Sequence, residues 1–159
     1  MLEAELASAV AIAKKAGQIL LEVYATDFGV SWKAQSDPVT VADERANAHI
    51  VFELSKLFPD DGIIAEESPD HETALAKRRI WYVDPLDGTK EFIARNGEFS
   101  VMIGLAIDGQ SQLGVVYQPT EDCLYAGIVG QGAWRIQRGQ KTNLRVSDRA
   151  QTSDLRLVV

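Results

Sequence analysis

Apolar residues recur at three- and four-residue steps through the first two dozen positions, at Leu2, Leu6, Ala9, Val10, Ala13, Ala16, Leu20 and Tyr24. This spacing predicts an amphipathic helix with one face on a core. A second helix is announced by Asp37-Pro38 and Thr40, with a buried side at Ala46, Ile50, Leu54 and Leu57 and a stop at Phe58-Pro59. Between them residues 26–37 lose periodicity and hold Gly29, Ser31 and Ser36, so they read as a connection or an edge strand around Val30 to Lys33. The period then changes. Asp60-Asp61-Gly62 is a turn, Ile63-Ile64-Ala65 and Ile80-Trp81-Tyr82-Val83 are short runs suited to buried strands, and the polar residues 69–79 between them read as an excursion or short helix. Strand-like runs at 99–107, 112–117, 123–129 and 133–137 alternate with turn signals at Asp108-Gly109, Pro119-Thr120 and Gly130-Gln131-Gly132, which predicts an antiparallel meander. Residues 139–148 are polar and turn-rich, and residues 155–159 are again strand-like. The pattern as a whole predicts an α+β fold, an antiparallel β-sheet packed with two long N-terminal helices.

Composition narrows the choice of partner. The chain has 159 residues, 46% of them hydrophobic, which suits one domain with a real core. Its net charge of −7 repels nucleic-acid polymers and anionic membranes and suits the collection of cations. No apolar run reaches the length of a membrane span, and the acidic opening Met1-Leu2-Glu3-Ala4-Glu5 lacks a secretory pattern, so a cytoplasmic location is expected. Cys123, with Leu124, Tyr125 and Ala126 beside it, reads as a buried small hydrophobe, and His49 and His71 lack partners at ligand spacing.

Chemistry concentrates at Asp84-Pro85-Leu86-Asp87-Gly88-Thr89. Asp84 is expected at the carboxyl end of the strand 80–83, with Pro85 and Gly88 stopping the strand and turning the chain. Residues 90–95 can then wind as one or two helical turns capped by Asp87 or Thr89 and ending near Asn96-Gly97. Such a turn offers hard oxygen ligands on one side and backbone N–H groups for a phosphate on the other. Pro-Leu-Asp-Gly is also ordinary turn chemistry, and an Asp in a first helical turn, such as Asp43, ordinarily serves the helix dipole. A D-x-D-G-T phosphatase nucleophile is excluded, because Pro85 stands two residues before Asp87.

Three ordered blocks carry a resemblance. They are Lys33 with Ser36-Asp37-Pro38-Val39-Thr40-Val41-Ala42-Asp43, then Ile63-Ile64-Ala65-Glu66-Glu67-Ser68, then the run from Trp81 to Phe92. The sequence resembles the lithium-sensitive, Mg²⁺-dependent phosphomonoesterase superfamily that includes inositol monophosphatases and 3'(2'),5'-bisphosphate nucleotidases. Lys90-Glu91-Phe92 is more similar to the nucleotidase branch, whereas Ala65 stands where the family commonly has Gly.

The resemblance implies a small phosphorylated substrate, namely 3'-phosphoadenosine 5'-phosphate converted to AMP, with an inositol or sugar phosphate as the alternative. It implies two or three Mg²⁺ ions in the complete enzyme, held by Glu66, Asp84, Asp87 and the Leu86 carbonyl. A metal-activated water would attack in line, oriented by Thr89 and Asp43 with Glu66 in the catalytic set. Lys33, Gly88 and Thr89 would bind phosphate. In the family a second α/β domain follows near Val159, bringing a further aspartate in a Trp-Asp motif; none of Trp32, Trp81 and Trp134 is followed by Asp. The chain alone is therefore expected to have little activity, with the terminal strand free for self-association or a partner. The reading of another class is a non-catalytic metal-binding subunit or remnant.

Overall fold

The computed structural model describes residues 2–28, 30–34, 37–66, 72–149, 151 and 153, with residues 30–34 and 37–39 described by backbone course alone. Helix α1, Glu3–Tyr24, buries Leu6, Ala9, Ile12, Ala13, Ala16, Gly17, Leu20 and Val23 along one stripe. Gly17 is a point of close approach, since a Cβ there would meet the Tyr117 ring at 2.6 Å. Residues 30–34 and 37–40 pair as an antiparallel ribbon of β1 (Val30–Ala34) and β2 (Asp37–Thr40). Asp37 and Pro38 thus lie on a strand, and the second helix starts after Thr40 with Asp43 in its first turn, as expected.

That helix, α2, runs Val41–Leu57 and buries Ala42, Asp43, Ala46, Ile50 and Leu54. Leu57 departs from the expected buried side and is 48% exposed. At about 100° per residue its angle falls within the stripe, but it is the last helical residue. The packing there comes from Phe58, whose ring lies 5.0 Å from that of Trp81.

The main sheet has seven strands in chain order, β3 to β9. They are β3 Gly62–Ala65, β4 Arg79–Asp87, β5 Ser100–Ile107, β6 Gln110–Gln118, β7 Cys123–Ile128, β8 Gly132–Gln137 and β9 Gln140–Leu144. The fold is α+β, as the sequence pattern requires, but the sheet is mixed: β3 and β4 are parallel and every other pair is antiparallel. The parallel pair follows from the connection, a crossover containing the short helix α3, Glu72–Leu75, because a hairpin joins only antiparallel strands. Strand β9 lies where a polar, turn-rich segment was expected, and all five of its residues are exposed. Residues 155–159, expected to be strand-like, lie outside the described residues.

Helices α1 and α2 cover one sheet face. The core they close includes Trp81, Val83, Val101, Ile103, Leu105, Val115 and Leu124. On the opposite face of the same strands stand Tyr82, Asp84, Met102, Val116 and Tyr125. This alternation places the candidate chemistry on the side that these helices leave uncovered.

Candidate metal and phosphate site

Strand β4 does not end at Asp84. Register with β5 passes from Asp84 opposite Met102 to Asp87 opposite Ser100, so Pro85 and Leu86 together oppose Val101. This is a β-bulge, where a proline without an N–H is tolerated and the local twist re-aims side chains. The bulge is pinned by the Leu86 N–H, which donates to Asp84 Oδ1 at 3.1 Å. Asp84, the Leu86 carbonyl and Asp87 are thereby gathered on one knuckle of chain.

Gly88 then turns the chain with φ 88°. A Cβ there would stand 2.8 Å from the Glu98 carbonyl oxygen, so both conformation and space require glycine. Helix α4, Thr89–Ala94, follows with Gly88 as its N-cap and no side-chain cap, so neither Asp87 nor Thr89 caps it as expected. The Thr89 side chain turns instead toward α2 and the bulge, where its Oγ lies 3.1 Å from Asp43 Oδ1 and 3.1 Å from the Leu86 carbonyl oxygen. One hydroxyl proton serves two acceptors.

Asp43 lies 2% exposed in the first turn of α2. Its Oδ2 accepts the Thr40 N–H at 2.7 Å and the Thr40 hydroxyl at 2.6 Å, while the Ala42 N–H donates to Thr40 Oγ at 3.1 Å. This is a capping box. The helix-start reading and the cross-contact reading of Asp43 both hold in the geometry, because one carboxylate oxygen serves the cap and the other faces Thr89. Thr40 is a functional candidate that the sequence reading used only as a start signal; the pattern Thr-x-x-Asp could have marked it. Ser100 was also missed, and its hydroxyl donates to Asp87 Oδ2 at 3.4 Å.

Glu66 follows β3 directly, and the parallel register of Ala65 with Val83 sets it beside Asp84. Its N–H donates to the Val83 carbonyl at 3.1 Å. The electrostatic result is seen at Asp84, whose pKa is raised to about 7. Burial is the largest cause, followed by the negative charges of Glu66 and Asp87 and by a hydrogen bond with Glu66; the Leu86 N–H opposes them. Among the described residues no three His, Cys, Asp or Glu side chains close into a ready cage. The donor set is oxygen only, two aspartates, one glutamate and one carbonyl, which fits a hard divalent cation rather than a soft one. Mutual repulsion at Asp84 is what such a cation relieves.

A groove of about 460 Å³ begins at Glu66 and Asp84 and continues between Tyr82, Met102 and Val116. A smaller hollow of about 220 Å³ lies on the Asp87 side, between Ser100 and Tyr125. Lys33 lies on β1, but its side chain falls outside the described part, as do Ser36, Glu67, Ser68 and His71 altogether. His49 is on α2, where burial, the largest cause, lowers its pKa. Cys123 is buried, as expected. No helix of the described residues is long and apolar enough to cross a membrane.

A mixed sheet with paired helices on one face thus presents a bulged Asp-Pro-Leu-Asp-Gly-Thr strand end on the other. The model described as Inositol monophosphatase family matches residues 1–159, and the chain belongs to that family. It is 42% identical over 140 residues to the 3'(2'),5'-bisphosphate nucleotidase CysQ of Escherichia coli O157:H7, covering 86% of this chain and 56% of that protein. It is 39% identical over 127 residues to the Nus factor SuhB of Salmonella typhimurium strain LT2, covering 79% of this chain and 47% of that protein. Among solved structures, the extragenic suppressor protein suhB from Bartonella henselae superposes with a TM-score of 0.83 at 35% identity, covering 92% of this chain and 56% of the other. The chain thus spans about half the length of the relatives it matches.

Proposed function

We propose that this chain is the metal- and phosphate-binding part of a Mg²⁺-dependent phosphomonoesterase whose substrate is 3'-phosphoadenosine 5'-phosphate. The observation that carries the reading is the meeting of Glu66, Asp84 and Asp87 at the β4 bulge, with the Asp43–Thr89 contact beside it. The oxygens of Glu66, Asp84, Asp87 and the Leu86 carbonyl would hold Mg²⁺, which supplies Lewis-acid stabilisation of charge on the phosphoryl oxygens.

The chain's own groups orient the water. If the Leu86 carbonyl served as a ligand, Asp43 would be left as the acceptor for the Thr89 proton. The Thr89 oxygen then has lone pairs free to accept a proton from an attacking water, and Asp43 takes the proton that Thr89 passes on. As the water oxygen bonds to phosphorus the ester P–O bond breaks, and the leaving oxygen takes a proton from solvent. The N–H groups of Gly88 and Thr89, with Lys33, are the phosphate donors in this reading. The rest of the family's length would supply a second domain, a further carboxylate and the surface that selects the ester, so this chain alone turns over little substrate.

A chimera tests the chemistry: the matched segment of this chain replaces that of the E. coli nucleotidase, and Mg²⁺-dependent phosphate release from 3'-phosphoadenosine 5'-phosphate is measured. The expected result is release that falls roughly 100-fold or more in Thr89→Ala. A folded chimera that releases no phosphate overturns the reading. Two other readings are outcomes to be tested. The family name favours an inositol or sugar phosphate, tested by comparing esters on the chain's own complete gene product. The reading of another class is a non-catalytic metal-binding subunit, in which Mg²⁺ binds and no ester is cleaved.

A further inference from the structure

The chain's charge is unevenly placed. Residues 123–149 carry five cations, Arg135, Arg138, Lys141, Arg145 and Arg149, against one acid, Asp148, so this stretch is net +4 within a chain of −7. Its β8–β9 hairpin closes through Arg138-Gly139, both with positive φ, at 50° and 78°. Such a two-residue turn holds the strands in tight register, Gln137 opposite Gln140 and Arg135 opposite Thr142. Arg135, Gln137, Gln140 and Thr142 therefore share one face of the hairpin, and with Arg138 they line a hollow of about 330 Å³.

One donor in this hollow lacks a protein acceptor. The Nε of Arg135 is buried with no hydrogen-bond partner, although a buried unsatisfied donor is destabilising. Among the described residues neither Arg135 nor Arg138 forms an ion pair. Asp122, whose backbone carbonyl accepts the Arg138 N–H, has its carboxylate on the Tyr117 hydroxyl. Lys141 is committed elsewhere, 4.1 Å over the Trp134 ring. Two guanidinium groups, two amides and a hydroxyl thus line a space that has cationic charge and donors but no anion.

We propose that the β8–β9 hairpin is an oxyanion site, taking the tetrahedral phosphate group of a small phosphate monoester or of inorganic phosphate on Arg135 and Arg138, with Thr142 and the two glutamines completing the shell. Guanidinium forks match such oxygens with paired N–H donors, and the Arg135 Nε gains its acceptor. The site is separate from the carboxylate cluster. Asp84, Met102, Val116, Tyr125 and Arg135 form one cross-strand row, so Arg135 lies four strand steps from Asp84, about 19 Å at ordinary strand spacing. One phosphate group does not reach both, and this inference stands independently of the proposed activity.

The test is residue-resolved amide chemical shifts of the 159-residue chain during titration with inorganic phosphate and, separately, with glycerol phosphate, each at constant ionic strength against chloride. The expected result is a saturable shift at Arg135, Arg138, Gln140 and Thr142, with the tighter of the two ligands identifying the source. Arg135→Gln with Arg138→Gln weakens binding roughly tenfold or more. Should that pair disturb the hairpin, Arg135→Lys with Arg138→Lys keeps the charge, loses the forks and weakens binding several-fold. Absence of saturation, a response matched by chloride, or unchanged binding in the lysine pair overturns the proposal.

Discussion

Trp81 and Tyr82 are neighbours on one strand that point to opposite faces of the sheet. Trp81 is fully buried against the helices, and its indole N–H donates to Asp61 at 2.9 Å. Tyr82 is 44% exposed and lines the groove that begins at Asp84. The inner face is a close-packed apolar core, whereas on the outer face burial, together with the neighbouring carboxylates, raises the Asp84 pKa. Stability and candidate chemistry are thus carried by alternate residues of the same strand, and substitutions one residue apart separate them.

The largest break in that comparison is at the inner face. Trp81→Ala is expected to cost about 3–5 kcal/mol in denaturant unfolding, while Tyr82→Ala costs about 1 kcal/mol or less. Equal losses at the two positions would show that the outer face is packed as firmly as the inner one. Next is the link between helix and site. Asp43→Ala removes the capping box and strands the Thr40 donors, so a loss of about 1–3 kcal/mol is expected by the same measurement. A loss below that range would mean that the buried carboxylate is not holding the start of α2.

A smaller effect sharpens the contrast through pH. The Asp84 pKa, raised from 3.8 to about 7, means that the folded chain holds a proton which the unfolded chain releases between those values. This group's contribution to stability is therefore fully present below about pH 4, declines as pH rises, and is lost above about pH 7. In metal-free buffer the melting temperature should fall between pH 5 and 7.5, and Asp84→Asn should flatten that slope. An identical slope in the variant would remove Asp84 as its origin.

Much of the fold was legible because its elements carry strong periodic signals. The stripe on α1 and the apolar runs of β4 to β8 needed no tertiary information. The parallel β3–β4 pair was less so, since short apolar runs do not state direction; the crossover does. Strand β9 was not legible at all: Gln140-Lys141-Thr142-Asn143-Leu144 has no buried face, and it is a strand because the Arg138-Gly139 turn lays it against β8. At the candidate site the residue types were readable, but their geometry was not. Pro85 signalled a stop, and only pairing with β5 shows that the strand bulges and continues to Asp87. Likewise Asp43 has a local explanation at the helix start and a role implied by the resemblance, and the fold uses one carboxylate oxygen for the cap and the other for Thr89.

The most direct test of the proposed cation site is calorimetric titration of Mg²⁺ into the 159-residue chain and its Asp84→Asn variant. The substitution suits the fold, because a group already drawn toward its neutral form is replaced by a neutral one that still accepts the Leu86 N–H. Weak saturable binding to the parent chain, reduced roughly tenfold or more in Asp84→Asn, is the expected result. Equal Mg²⁺ binding by both proteins would contradict the placement of a cation at the β4 bulge.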